Sequence, residues 1–322
     1  MSARDVARSL AKTLIRVQEE RGYPLLPLTR KLREPLRWLY HRSPYLRHDS
    51  RFRWRPSLLL GIHGLLIRDH PKDFTIHHGQ LRFRSYGSVM SFQGYYVGEI
   101  ERHLVDFVVR SVRDGFTMLD VGAHHGAFTI IVAHELRRHG WTGRIHSFEP
   151  DPVNFELLRH NVEQNGLAGH VVLHPVAVSN VEGHELLIGA EGENSGNTLA
   201  STGEFAIDSS AAARISRRVP VITLDGMLAE LPRVDFIKMD IQGAEPLALA
   251  GAAQLLARHR PVLAVEATEG WPSSERTRSF LVEHGYRLHG LTRRGELCEV
   301  GAPEAFVSWD WIAVADAAVG RS

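Results

Sequence analysis

The sequence predicts an α/β fold with a doubly wound, mostly parallel sheet, and three observations carry that reading. Short apolar runs alternate with segments of helical period from Thr117 almost to the C-terminus, the rhythm of strand–helix–strand units. The first of these runs passes through a glycine turn straight into a helix. Four runs end on an acid, Asp120, Glu149, Asp240 and Glu266, at the strand ends where open α/β sheets bind ligands.

Taken in order, residues 5–20 have the pattern of an amphipathic helix, with Val6, Leu10, Leu14 and Val17 on one face. The stretch PLLPLT at 24–29 ends it. From Arg30 to Arg55, nine Arg or Lys stand against Glu34 and Asp49, with Trp38, Tyr40, Tyr45, Phe52 and Trp54 interleaved. Such a mixture can grip a nucleic acid, an anionic lipid surface or a phosphorylated substrate. Charge elsewhere is balanced, which favours a helical arm with solvated arginines and buried aromatics. Residues 1–72 are therefore read as a basic helical arm, and 73–322 as the main domain. The arm is also where a homo-oligomer contact is expected.

Phe74 to Phe83 alternates on both sides of His78-Gly79 and predicts a hairpin. Tyr95 to Val112 predicts a helix. Met118 to Val121 is the first core strand, and the helix after it carries Phe128, Ile131, Val132 and Leu136 at helical spacing until Gly140 caps it. Arg144 to Phe148 is the second strand. Asp151 caps the next helix, Pro152 suits its first turn, and Asn165-Gly166 ends it. His170 to His174 is the third strand.

The rhythm then breaks. Glu185 to Ile188 and Val219 to Leu224 are strand-like, an inserted hairpin, and the polar segment 189–217 between them is read as a substrate lid or wall. Val234 to Asp240 is the fourth strand, turning through Ile241-Gln242-Gly243-Ala244-Glu245-Pro246 into a helix. Pro261 to Val265 is the fifth. A helix capped by Ser273 or Ser274 runs to Gly285, and Tyr286 to Leu291 and Val307 to Val314 complete seven core strands.

Composition narrows the class. The chain is 43% hydrophobic and 23% charged with a net charge of +1, a globular balance that makes no whole-chain case for nucleic acid. A single cysteine, Cys298, excludes an internal disulfide framework and a cysteine-built metal site. It fits a reducing compartment, and the N-terminus has no secretory pattern. The longest apolar stretch, Leu58 to Ile67, is too short to span a bilayer and contains His63. A cytoplasmic protein is expected.

The glycine turn has the form D-x-G-x-x-x-G, from Asp120 through Gly122 to Gly126, not the G-x-G-x-x-G of dinucleotide sites. Glycine lets backbone approach a ligand, the helix start offers N–H donors to an anion, and a strand-end carboxylate receives an ammonium. The methionine end of S-adenosylmethionine carries both charges. Glu149 falls 149 − 126 = 23 residues beyond Gly126, close to the spacing of about 20 for a ribose-binding acid, and its two oxygens suit two ribose hydroxyls.

LDVGAHHGAFT (119–129), FEPDP (148–152), AVSN (177–180), VITLDGML (221–228), FIKMDIQGAE (236–245) and PVLAVE (261–266) together resemble the FkbM-type family of S-adenosylmethionine-dependent methyltransferases. DIQGAE is the most specific mark, and the likeness runs from about residue 74 to 315. The resemblance implies a class I, Rossmann-like methyltransferase fold with strand order 3-2-1-4-5-7-6, strand 7 antiparallel. It implies S-adenosyl-L-methionine held by Asp120, Gly122, Ala123, Gly126, Phe128, Glu149, Pro150, Ala177, Val178 and Asp240. It also implies methylation of a hydroxyl on a sugar, glycan or polyketide-type natural product. His124 stands where the family commonly has Asn. Asp240 is the first candidate for the base that takes the hydroxyl proton, with Glu245 and Glu266 behind it. Glu245 equally suits the first turn of a helix, and Asp240, Glu266 and Glu269 offer an oxygen-rich Mg²⁺ alternative. Other readings are a nucleic-acid methyltransferase using the arm, a catalytically silent partner protein, and a nicotinamide oxidoreductase. The Asp240-Ile241-Gln242-Gly243 segment and the lack of G-x-G argue against the first and the last.

Overall fold

A computed structural model describes residues 71–77, 80–86, 101–190, 193–202, 214–267, 271–302 and 310–316. The chain divides into two compact units, residues 1–72 with 85–100 and residues 73–84 with 101–322. Of the first, only residues 71–72 and 85–86 are described, so the expected helix 5–20 and the basic stretch 30–55 lie outside the described residues. The site lies wholly in the second unit.

The described elements begin with the expected hairpin, β1 (Pro71–Ile76) and β2 (Leu81–Tyr86), then α1 (Arg102–Ser111). The main sheet takes β3 (Phe116–Val121), β4 (Gly143–Phe148), β5 (Val171–His174), β10 (Phe236–Met239), β11 (Val262–Glu266), β12 (Tyr286–Leu291), β13 (Leu297–Glu299) and β14 (Asp310–Ala315). Its order is β13-β12-β14-β11-β10-β3-β4-β5. Without the short edge strand β13, this is the expected seven-strand order. β3, β4, β5, β10 and β11 pair in parallel, and β14 runs antiparallel to both β11 and β12.

Burial explains why these segments are strands of a covered sheet. All of Phe236–Met239 is buried, and so is β3 apart from Thr117. Strands apolar on both faces must be covered on both faces. The covering helices include α2 (Ala127–His139), α3 (Pro152–Gln164), α4 (Glu245–Ala250), α5 (Ala253–His259) and α6 (Pro272–Glu283). α2 stops at Gly140, whose left-handed backbone (φ 66°) returns its N–H to the last turn. α3 starts where Asp151 accepts from the N–H groups of Val153 and Asn154. No helix among the described residues is long and apolar enough to cross a membrane.

Two expectations need correction. The insertion is a separate four-stranded sheet, not a hairpin: β6 (Ala177–Val178), β9 (Arg214–Ile222), β7 (Gly183–Ala190) and β8 (Glu193–Leu199), in that spatial order. β8 (ENSGNTL) lies in the segment read as loop; its pairing with β7 makes it a strand despite poor propensity. And α6 begins at Pro272, with Trp271 as N-cap, so Ser273 and Ser274 sit inside its first turn, both buried. Proline's fixed φ at the first helical position starts the helix earlier than a serine cap would.

The strand order reverses at β3, which has β4 on one side and β10 on the other. Such a switch point opens a crevice at the strand carboxyl ends. Ala177, Leu187, Leu199, Val219 and Val221 of the second sheet pack with Ala244 and Ile241. The smaller sheet thus backs the turn after β10.

Candidate active site

The glycine turn leaves β3 between two protein neighbours. A Cβ on Gly122 (φ 81°) would lie 2.0 Å from the Asp240 carbonyl oxygen, and one on Gly126 (φ 83°) 2.4 Å from Leu158 Cδ1. Both glycines are therefore required by backbone angle and by close packing against β10 and α3. The N–H groups of Gly122 and Ala123 both donate to the Phe148 carbonyl at 3.0 Å. Asp120 lies beneath the turn, 1% exposed, accepting from Thr129 Oγ1 at 2.6 Å, while that hydroxyl also meets Ser147 Oγ at 2.7 Å. Burial pushes its carboxyl upward against the charge of Lys238. Asp120 therefore braces the helix start from below, with its surface covered by protein.

Glu149, at the tip of β4, takes the His124 N–H at 2.8 Å on one oxygen and the Asp151 N–H at 2.9 Å on the other. Asn154 Nδ2 also reaches the second of these oxygens at 3.5 Å, so a further lone pair is left on the oxygen that takes the His124 N–H. Burial raises this carboxyl to about 7. Asp151 receives Arg217 Nη1 at 3.1 Å and Asn197 Nδ2 at 3.4 Å, tying the second sheet to the same rim.

The tips of β10 and β11 are different. Lys238, 4% exposed, points the same way as Asp240 because side chains two apart share a strand face. Its Nζ lies 3.3 Å from Asp240 Oδ2 and 5.0 Å from the Phe128 ring centre. Gln242 Nε2 donates to Asp240 Oδ1 at 3.0 Å and to Glu266 Oε2 at 2.9 Å. Burial pushes Asp240 up, but Lys238 and hydrogen bonds from Glu266, Gln242 and Lys238 outweigh it, so its carboxyl sits below the usual range. Glu266, half-buried and facing Asp240 and Glu245, is pushed up to about 10. The side chain of Asp240 remains 29% exposed. Glu245 accepts the N–H groups of Ile241 at 2.8 Å and Gly243 at 3.0 Å and is 2% exposed. Of its two expected roles, the geometry favours closing the turn over general base.

The structure thus brings Asp120, Glu149, Asp240 and Glu266 to the carboxyl ends of adjacent strands, with Asp120 in register with Lys238 and Ser147. Of the other expected contacts, Ala123, Phe128, Ala177 and Val178 are buried in packing, and Pro150 is half-buried. His124 holds a left-handed backbone (φ 52°) and stacks on His125 at 3.6 Å. Its Nε2 is buried with no hydrogen-bond partner among the described residues. Glu269 lies outside the described residues, and among those described no group of three or more His, Cys, Asp or Glu is arranged to hold a metal.

Sequence reasoning missed Lys238, Gln242 and Asp310. Asp310 opens β14 opposite Glu266; burial, Glu101 and Asp240 raise it to about 8 against the pull of Lys238. A signal existed for Lys238: a cation inside an apolar strand, two residues from an acid. None existed for Asp310, whose partners arrive through antiparallel pairing.

A crevice at a switch point, rimmed by acids and a glycine turn, is the ligand site of a doubly wound α/β protein. The Methyltransferase FkbM domain model matches residues 120–288, more than half of the chain, and the chain belongs to that family. Solved structures it is similar to include Methyltransferase FkbM from Methylobacillus flagellatus KT (19% identity, 63% of this chain and 44% of that chain, TM-score 0.39). Others are an O-methyltransferase from Bacillus cereus in complex with SAH (16%, 66% and 80%, 0.38), and a TehB-like SAM-dependent methyltransferase from Corynebacterium glutamicum (13%, 70% and 92%, 0.37). The match takes in less than half of the Methylobacillus chain. No curated protein matches the sequence.

Proposed function

We propose that this chain is an S-adenosylmethionine-dependent O-methyltransferase whose acceptor is a hydroxyl of a sugar, glycan or polyketide-type small molecule. The observation that carries the reading is Asp240: a partly exposed carboxylate at the β10 tip, held ionised by a buried lysine beside the family's DIQGAE turn. S-adenosylmethionine, once bound, supplies a methyl group on a sulfonium. The residues present fit such a molecule. Glu149 Oε2 has a lone pair left for a ribose hydroxyl, and the unpartnered His124 Nε2 lies in the turn where a methionine carboxylate would meet a donor. Gly122 and Gly126 shape that turn, and Asp120 braces it.

The chain's own chemistry is then alignment and proton removal. Asp240 accepts the acceptor's hydroxyl proton, while the closed turn and the second sheet exclude water. Positioning supplies much of the rate in such a displacement, and a positioned base typically adds about 10²–10⁴-fold. Calorimetry with S-adenosylmethionine and with NAD tests the class: the first should bind and the second should not. Methyl-labelled S-adenosylmethionine incubated with cell extract should put label on oxygen of a small molecule, read by mass spectrometry. Asp240→Asn should lower that labelling more than it lowers S-adenosylmethionine affinity. Binding of NAD alone would overturn the reading.

A further inference from the structure

Gln242 bridges Asp240 and Glu266 by hydrogen bonds across the tips of β10 and β11. One Gln242 nitrogen reaches both acids, at 3.0 Å and 2.9 Å, and a primary amide has two hydrogens to give. That single nitrogen holds the two carboxyl groups in one site, and two carboxylates that share a site favour a proton on one of them. The cation that distinguishes them is Lys238, 3.3 Å from Asp240 and 4% exposed.

The backbone at Gln242 is left-handed (φ 55°), a conformation that disfavours residues other than Gly, Asn and Asp. Such a residue is a pointer to function when the fold does not otherwise need it. Here the fold does not: Glu245 already closes the turn by taking the Ile241 and Gly243 N–H groups. The strained Gln242 spends its side chain entirely on the two acids.

We propose that Gln242 is a positioning residue whose amide clamps Asp240 and Glu266 into a pair sharing one proton, with Lys238 keeping the vacancy on Asp240. This rests on the reading of Asp240 as the group that takes the acceptor's proton. The pair is then loaded in one direction. As the methyl carbon bonds to the acceptor oxygen and leaves sulfur, the hydroxyl proton passes to Asp240, both acids are neutral, and one proton returns to water. Groups facing Asp240 are Lys238 on its own strand, Asp120 on β3, His124 in the glycine turn, Glu266 on β11, Glu245 on α4 and Asp310 on β14. In that acidic company, Lys238 and the clamp keep Asp240 charged.

The test needs no acceptor. The full chain with ¹³C-labelled Asp and Glu carboxyl carbons is titrated by NMR as wild type, Gln242→Asn, Gln242→Gly and Glu266→Gln, with Asp240→Asn assigning the Asp240 signal. Asn and Gly both suit the left-handed backbone and cannot span the two acids, so one serves if the other folds poorly. Wild type should show Asp240 titrating below the usual carboxylate range and Glu266 far above it. Loss of the clamp should move the two midpoints toward each other by a tenfold change in proton affinity or more. Glu266→Gln, which imitates the neutral acid, should leave Asp240 ionised. Two ordinary midpoints in wild type, or midpoints unmoved in both Gln242 variants, overturn the proposal. Calorimetry with S-adenosylmethionine on the same samples separates the two ideas. Wild type that fails to bind it defeats the methyl-transfer reading; wild type that binds it while the midpoints stay put defeats the clamp alone.

Discussion

The two halves of the acidic rim are built differently. On the β3–β4 side, Asp120 and Glu149 are satisfied by a hydroxyl and by backbone N–H groups. On the β10–β11 side, Asp240 is held by Lys238, and one Gln242 amide nitrogen holds Asp240 and Glu266 together as a pair of acids. Partners that cannot titrate fix a shape; partners that can titrate make a reservoir for a proton. The same residue type, at equivalent strand ends, is scaffold on one side and chemistry on the other. The sorting rule is the identity of the donor rather than the burial of the acid.

The largest expected effect that would break this contrast is at Lys238. Lys238→Met strands Asp240 beside buried Asp120 and Asp310, and removing one partner of a buried charge cluster costs about 3–5 kcal/mol. Urea unfolding followed by circular dichroism should show it. A cost below about 1 kcal/mol would mean that the cluster is not held by that cation.

A smaller effect sharpens the contrast directly. Glu149→Gln turns an NH₂ donor toward one of two backbone N–H donors, leaving a buried group unsatisfied at about 1–3 kcal/mol. Glu266→Gln replaces a group that is already neutral by its isostere and should cost less than about 1 kcal/mol. Equal costs in the same unfolding assay would erase the distinction between the two sides.

A further test of the contrast is the pH dependence of stability. Glu149 and Glu245 at about 7, Asp310 at about 8 and Glu266 at about 10 bind protons more tightly folded than at their ordinary values of 4.5 and 3.8. Their contribution is complete below those ordinary values and is lost as pH rises through the folded ones. His103, His124 and His146, held near 4 by burial, act in the opposite sense, losing their contribution as pH falls from 6.5 toward 4. The thermal midpoint should therefore decline from pH 7 to pH 10, and Glu266→Gln should remove the upper part of that decline. A flat profile in wild type would count against protonated acids at the β10–β11 tips.

What the sequence disclosed follows the same division. The glycine turn, the Asp151 cap and the four strand-end acids are local patterns, each readable from residues a few positions apart, whereas the strand order came with the family resemblance. The proton-sharing pair is not local: Gln242 bridges to Glu266, 24 positions away, and Asp310 arrives beside Glu266 only through β14. The serine caps of α6 failed because Pro272 outranks them, and β8 failed because its strand character is lent by β7. The braced position of Asp120 was hidden for another reason. An acid at a strand end looks the same in sequence whether it faces a crevice or the hydroxyl of the next helix.

The second sheet enters and leaves the chain through one doorway. Its first and last paired segments lie side by side, Ala177 against Val221 and Val178 against Ile222. The span the chain must bridge between β5 and β10 is therefore set by that pairing and not by the length of the segment from Ser179 to Pro220, whose tips can vary while Asn197 and Arg217 stay on Asp151.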